Sequence, residues 1–216
     1  MDVRAFLEKF VEGYLFHDLS SLAQVRVAGP YGNCNYSMLL VELAGIELLG
    51  ALTAPGESLG KEAAHFTHGW REILYADRPG EATYSEPVYK LARHGLAHTF
   101  TAKPLINVTK SGDGHLSRDL AGNLVLDVLA LEQDLKAAYH LRVLPSLDDE
   151  GIRRRLQARL DKLVEHASLQ ARPYQGLVAV RHVESTPATA FGDYTDCSST
   201  TYQPLTTFPL LEPRKR

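Results

Sequence analysis

From Met38 to Ala54 the chain reads Met-Leu-Leu-Val-Glu-Leu-Ala-Gly-Ile-Glu-Leu-Leu-Gly-Ala-Leu-Thr-Ala, apolar at almost every angular position of a helix. A helix without a polar stripe has to be surrounded, so this segment predicts the central helix of a helical core. Asn35 or Ser37 starts it, after the break Gly29-Pro30-Tyr31-Gly32-Asn33, and Pro55-Gly56 ends it. Glu42 and Glu47 keep it below the roughly 18 uncharged apolar residues expected of a membrane span. An unpaired carboxylate there would be costly, so each glutamate needs a partner or an exposed edge.

Other segments supply the surroundings. Asp2 caps a first helix to about His17, with Phe6, Leu7, Phe10, Val11 and Tyr14 on one face. A third helix spans about Lys61 to Tyr75, with Trp70 as a core anchor, and Asp77-Arg78-Pro79-Gly80 breaks the chain after it. A fourth, from about Ser85 to Thr99, takes Ser85 as N-cap, Glu86 in its dipole-favoured first turn and Pro87 where amides need no partner. The fifth runs from about Asn123 to Leu144. Asp148 or Asp149 caps a sixth, in which Ile152, Leu156, Leu160 and Leu163 repeat beside Arg153, Arg154, Arg155, Arg159 and Lys162.

Between the fourth and fifth helices, Leu105 to Thr109 and His115 to Ser117 predict a small β-hairpin over about 105–117, turned by Lys110-Ser111-Gly112-Asp113-Gly114. The expected fold is mainly α: a bundle of about five to six helices over residues 1–168, and an extended C-terminal tail over 169–216 with a strand at Tyr174 to Val180.

With 216 residues, 44% of them hydrophobic and 23% charged, the chain can bury one core and carry appendages. A net charge of −3 excludes a generally basic nucleic-acid binder, so any RNA chemistry must rely on a local basic cleft. The start Met1-Asp2-Val3-Arg4 lacks a secretory pattern, which predicts cytoplasmic residence and no membrane association. Cys34 and Cys197 have no CxxC companion and are expected as free thiols.

The chemistry-bearing stretch is Arg93-His94-Gly95-Leu96-Ala97-His98. Arginine offers a permanent cation with a forked donor set that suits a phosphodiester, and histidine, with an ordinary pKa of about 6.5, exchanges protons near neutral pH. On an ideal helix, i and i+5 lie about 140° apart, so convergence of Arg93 and His98 relies on arginine's reach and on Gly95 removing a side chain between them. A glycine here, which costs about 0.5–1 kcal/mol relative to alanine, predicts close approach of a backbone or ligand. Glu47 is expected across the bundle against Arg93, orienting it through a carboxylate–guanidinium fork. Lys103 and Lys110 would add positive charge along an RNA path.

These six residues resemble the Arg-x4–6-His signature of the HEPN superfamily, in which the position after the arginine is usually polar, as His94 is. The resemblance implies a small all-α bundle, commonly a homodimer, acting as a metal-independent endoribonuclease in toxin–antitoxin or phage-defence systems. It implies that Arg93 holds the scissile phosphate, that His98 moves the 2′-hydroxyl or leaving-group proton with His94 in support, that two motifs face each other, and that 2′,3′-cyclic phosphate ends result without a cofactor. Members silenced by a nucleotidyltransferase antitoxin carry a tyrosine two positions after the histidine. Phe100 stands here and has no hydroxyl to modify, although another antitoxin or regulatory protein remains compatible.

Two other classes fit the same residues. A non-catalytic helical interaction protein would bury Arg93 or His98 against a structural carboxylate, whereas the enzyme requires both in one cleft. A metal-dependent hydrolase would need a third ligand beside His94 and His98, or beside His65 and His68 at i, i+3.

Overall fold

The computed structural model describes residues 1–27, 33–55 and 61–172. The expected tail with its strand at 174–180, Cys197, Gly56 and the Gly29 to Gly32 part of the first break lie outside the described residues.

Among the described residues the fold is mainly α. Helix α1 covers 3–24, α2 Asn35–Thr53, α3 62–74, the single turn α4 Pro79–Ala82, α5 85–99, α6 128–146 and α7 Glu150–Ala171. Asp2 caps α1 by accepting from the amides of Arg4 and Ala5. The helix runs past the expected end at His17 to Gln24, because Phe16 and the fully buried Leu19 carry its apolar face onward. At the other end Asp149 is the cap of α7, accepting from the Ile152 amide, and the helix continues past the expected boundary at 168.

Helix α2 is the centre of the core. Met38, Leu39, Leu43, Ile46, Leu49 and Leu52 are all at most 2% exposed, and α1, α3, α6 and α7 pack on it. By length and composition this helix could cross a bilayer, yet here it is buried among its neighbours. Two glycines set its closest crossing. A Cβ on Gly50 would lie 1.9 Å from the His65 carbonyl oxygen, and one on Gly69 would lie 2.2 Å from that of Ile46, so α2 and α3 touch backbone to backbone. Phe66, Trp70 and Tyr75 fill the space beside that crossing. Trp70 is fully buried, stacks 5.8 Å from Phe66 and donates its indole N–H to the Glu81 carbonyl at 3.0 Å.

Two local expectations are corrected. Ser85 is not the N-cap of its helix: it lies inside the first turn, buried, and its hydroxyl accepts from Arg71 Nε at 2.8 Å, because α4 delivers the chain already helical at Tyr84. The β-hairpin is absent as well. Strand β1, Ile106–Thr109, pairs in parallel with β2, Leu124–Asp127, in the register Ile106↔Leu124 through Thr109↔Asp127. The glycine cluster does turn the chain, with Gly112 and Gly114 at φ +85° and +71°. It opens a crossover instead of a tight return, and 115–117 is a loop.

The organiser of that crossover is Asp127. Its buried carboxylate caps α6 through the Leu129 and Ala130 amides and accepts from Thr109 Oγ1, from the Ser111 amide and hydroxyl, and from the Gly112 amide. Residues 124–127, expected as the first turn of the fifth helix, are therefore extended: a cap has non-helical backbone, and the three apolar residues before it are buried in the sheet.

Candidate functional site

Helix α5 presents the Arg93–His98 stretch. Val88–Arg93 is wound wider than an α-helix, with i→i+5 hydrogen bonding, and His94–Thr99 returns to the α form. Val88, Ala92 and Leu96 fasten the helix to the core. Arg93 lies at the margin of that buried stripe, while His94 and His98 face solvent, so the polar residues gather along one edge.

Glu47 reaches Arg93 from α2. Arg93 Nε donates to Glu47 Oε2 at 3.0 Å and Nη2 to Oε1 at 3.4 Å, with the side chains 24% and 17% exposed. This is a side-on fork: it fixes the guanidinium plane and leaves the Nη1 edge outside the pair. Burial pushes the Glu47 carboxyl above its ordinary value, and Arg93 opposes that shift.

His94 and His98, one turn apart, bring their ring centroids to 4.4 Å. Partial desolvation, the His98 ring and the Lys103 and Arg93 cations all push His94 below its ordinary pKa, in that order of size, so His94 is a neutral acceptor near pH 7. The His98 ring is one turn away from His94, and Lys103 lies against Gly95, the residue that follows it.

Gly95 is what folds Lys103 into that neighbourhood. A Cβ there would lie 2.6 Å from the Thr101 carbonyl oxygen and 3.3 Å from the Lys103 amide nitrogen, and the Lys103 amide donates to the Leu91 carbonyl at 2.9 Å. The close approach expected at this glycine is made by the chain's own 101–103 segment.

Lys110 sits elsewhere. Its ammonium donates to the carbonyls of Leu22 at 2.7 Å, Val25 at 3.1 Å and Asn33 at 3.0 Å. Three donors meet three acceptors, so Lys110 ties the end of α1 to the start of α2 and has no ammonium proton left for a phosphate. The basic cluster of α7 is also largely committed: Arg153 and Arg154 pair with Glu150, and Arg159 donates to the Ala51 carbonyl at 2.7 Å and meets His65 Nε2 at 3.1 Å. Near it, His68, Arg142, Arg155, Arg159 and Lys162 line a cleft of about 630 Å³, away from the Arg93 stretch. Among the described residues no group of three or more His, Cys, Asp or Glu side chains is arranged to hold a metal ion, so neither histidine pair has a third ligand there.

Sequence reading missed one polar network. His115 Nδ1 accepts from the Asp127 amide at 3.1 Å, which leaves the proton on Nε2, 2.9 Å from the Tyr75 hydroxyl; that hydroxyl in turn donates to Asp134 Oδ2 at 3.0 Å. Arg78 closes the set with an ion pair to Asp134 at 2.8 Å and a cation–π contact 4.5 Å from the Tyr75 ring centroid. The four residues come from three separate segments, Tyr75 and Arg78 sharing the turn after α3, and no spacing announces the set. The network clamps the crossover to α3 and α6.

Comparison of the chain with protein-family models, with curated proteins and with solved structures finds no match.

Proposed function

We propose that this protein is a metal-independent endoribonuclease of the HEPN kind. The observation that carries the proposal is the side-on Glu47–Arg93 fork directly before the paired, exposed imidazoles of His94 and His98. A guanidinium held by one edge keeps its other edge for a phosphate oxygen, and its fixed orientation removes the need to reorganise as charge grows on the phosphorane. His98 would take the 2′-hydroxyl proton or return one to the 5′ leaving oxygen, and neutral His94 would act as its partner. Attack of the 2′-oxygen on phosphorus breaks the P–O5′ bond and leaves a 2′,3′-cyclic phosphate and a 5′-hydroxyl. Two copies of the chain with α5 facing α5 would double the cation set around one strand.

A second reading has its own observation. Arg93 is three-quarters buried against a carboxylate, as a structural ion pair in a helical interaction protein would be. Incubation of wild type, Arg93→Ala and His98→Ala proteins with total RNA in EDTA, with end-group analysis of products, separates the two. Cyclic-phosphate products from wild type alone support the nuclease; equal inactivity of all three folded proteins supports the interaction protein.

A further inference from the structure

Helix α5 ends on an arrangement that core packing does not call for. Its C-terminal cap is Phe100, in the left-handed backbone region at φ +54° and 57% exposed. That region belongs to glycine and asparagine, and a benzyl side chain adds strain there while most of its ring stays in water. Tyr36, in the first turn of α2, is 37% exposed and meets Phe100 edge to face, with centroids 6.5 Å apart and planes at 81°. The two rings come from helices well separated in sequence, so their meeting is a product of the fold.

What surrounds this aromatic pair identifies its chemistry. Two and six residues before the cap on α5 are His98 and His94, and three residues beyond it is the exposed Lys103, drawn towards the helix by Gly95. Of the acidic groups on this side of α5, Glu47 is engaged by Arg93, and Glu62 acts on Glu47 and Tyr89. An exposed ring at the end of a helix edge that carries two imidazoles and is followed by a lysine suits a partner that alternates flat π-systems with anionic linkers, which is an unpaired nucleic-acid strand. A helical duplex hides its base faces and is excluded by the same geometry. An apolar protein surface would leave the cations of this edge without counter-charges.

We infer that Phe100, supported edge-on by Tyr36, is a stacking platform for an unpaired base of single-stranded RNA, placing the adjoining phosphate beside Lys103 and the His94–His98 pair. This deepens the nuclease proposal and rests on it for the identity of the strand as RNA. Stacking does not depend on base identity, so the platform favours unpaired over paired RNA while tolerating most sequences.

The test uses the full chain carrying His98→Ala, so that RNA survives the measurement, and fluorescein-labelled A12 and U12 oligoribonucleotides with the A12·U12 duplex as control. Binding is read by anisotropy. Phe100→Gly removes the ring and relieves the backbone strain, so this variant folds with unchanged or higher Tm; the expected result is about 5- to 100-fold weaker binding of both single strands, with Phe100→Tyr retaining affinity. Single-strand binding unchanged by Phe100→Gly overturns the platform, as does equal or tighter binding of the duplex. Failure of the parent to bind either strand overturns it too. If Phe100→Gly instead abolishes self-association seen by sedimentation while leaving RNA affinity intact, the rings cover a second copy of the chain and the RNA inference is wrong. Phe100-dependent binding by a chain whose wild type cleaves nothing would uphold the platform and reject the nuclease.

Discussion

Glu42 shows most sharply what one residue can cost. It is fully buried, and neither carboxyl oxygen meets a hydrogen-bond donor among the described residues. Burial, followed by the charges of Glu132 and Asp127, pushes its pKa well above the ordinary value, so it is held as the neutral acid. The folded pKa lies above the unfolded one. Its contribution to stability is therefore fully present below about pH 4.5 and is lost as pH rises through the folded pKa. Glu42→Leu should stabilise the protein by about 1–3 kcal/mol. The gain should be larger at pH 8 than at pH 5 in urea denaturation, and a pH-independent gain would contradict a neutral Glu42. Glu47, further along the same helix, behaves differently because Arg93 reaches it. Glu47→Gln keeps the shape but loses the charged fork, so RNA cleavage should fall at least tenfold while Tm changes by only a few degrees; parallel loss of both would reduce the pair to a structural role.

At the scale of elements, the crossing of α2 over α3 is the most demanding contact. Nothing flexible stands between Gly50 and the His65 carbonyl, so a methyl group must push the two helices apart. Gly50→Ala should cost about 2–3 kcal/mol or prevent folding, although alanine is the better helix former. At Gly80, in the exposed turn α4, an added methyl group would meet no atom within 4 Å, and Gly80→Ala should be neutral or stabilising by up to about 1 kcal/mol. Thermal melts of the two variants check the contrast. The elements most legible in the sequence were long apolar or helically spaced runs bounded by clear breaks or caps: α2, α3 and the 85–99 helix were expected to within a residue or two. The cap Asp2 was legible, and Asp149 as one of two candidates with Asp148, because short acceptors before an apolar repeat favour that position; Ser85, a residue of the same kind, loses the role because α4 brings the chain in already helical. The parallel β1–β2 pair was not. A glycine-rich cluster between apolar runs signals a turn, but which strand returns to pair is decided by the remote acceptor Asp127, and periodicity carries no trace of it.

For the molecule as a whole, acid should loosen the crossover before the helices. Burial holds His115 below its ordinary pKa, with Asp134 and Asp127 opposing. The folded value is thus below the unfolded one, and the neutral ring is the form whose Nδ1 accepts the Asp127 amide. Stability from this site is complete above about pH 6.5 and declines as pH falls below it, since protonation puts a second N–H where an acceptor is needed. Histidine titration by NMR should place His115 below the ordinary histidine value of about 6.5, and amide exchange in 110–127 should rise at acid pH ahead of that in α2. Uniform exchange across both segments would reject the clamp.

The sequence by itself determined a mainly α fold around one apolar helix, because a helix with no polar face has to be surrounded by apolar material, and it marked Arg93, His94, His98 and Glu47 by residue chemistry. Tertiary structure alone decided that Lys110 ties two helix ends instead of lining an RNA path, that His115 joins Tyr75 and Asp134, and that Phe100 meets Tyr36 at the end of the helix that carries the imidazoles. Those relations depend on where distant segments cross, and crossings are set by close contacts such as Gly50 on His65 that local patterns do not encode.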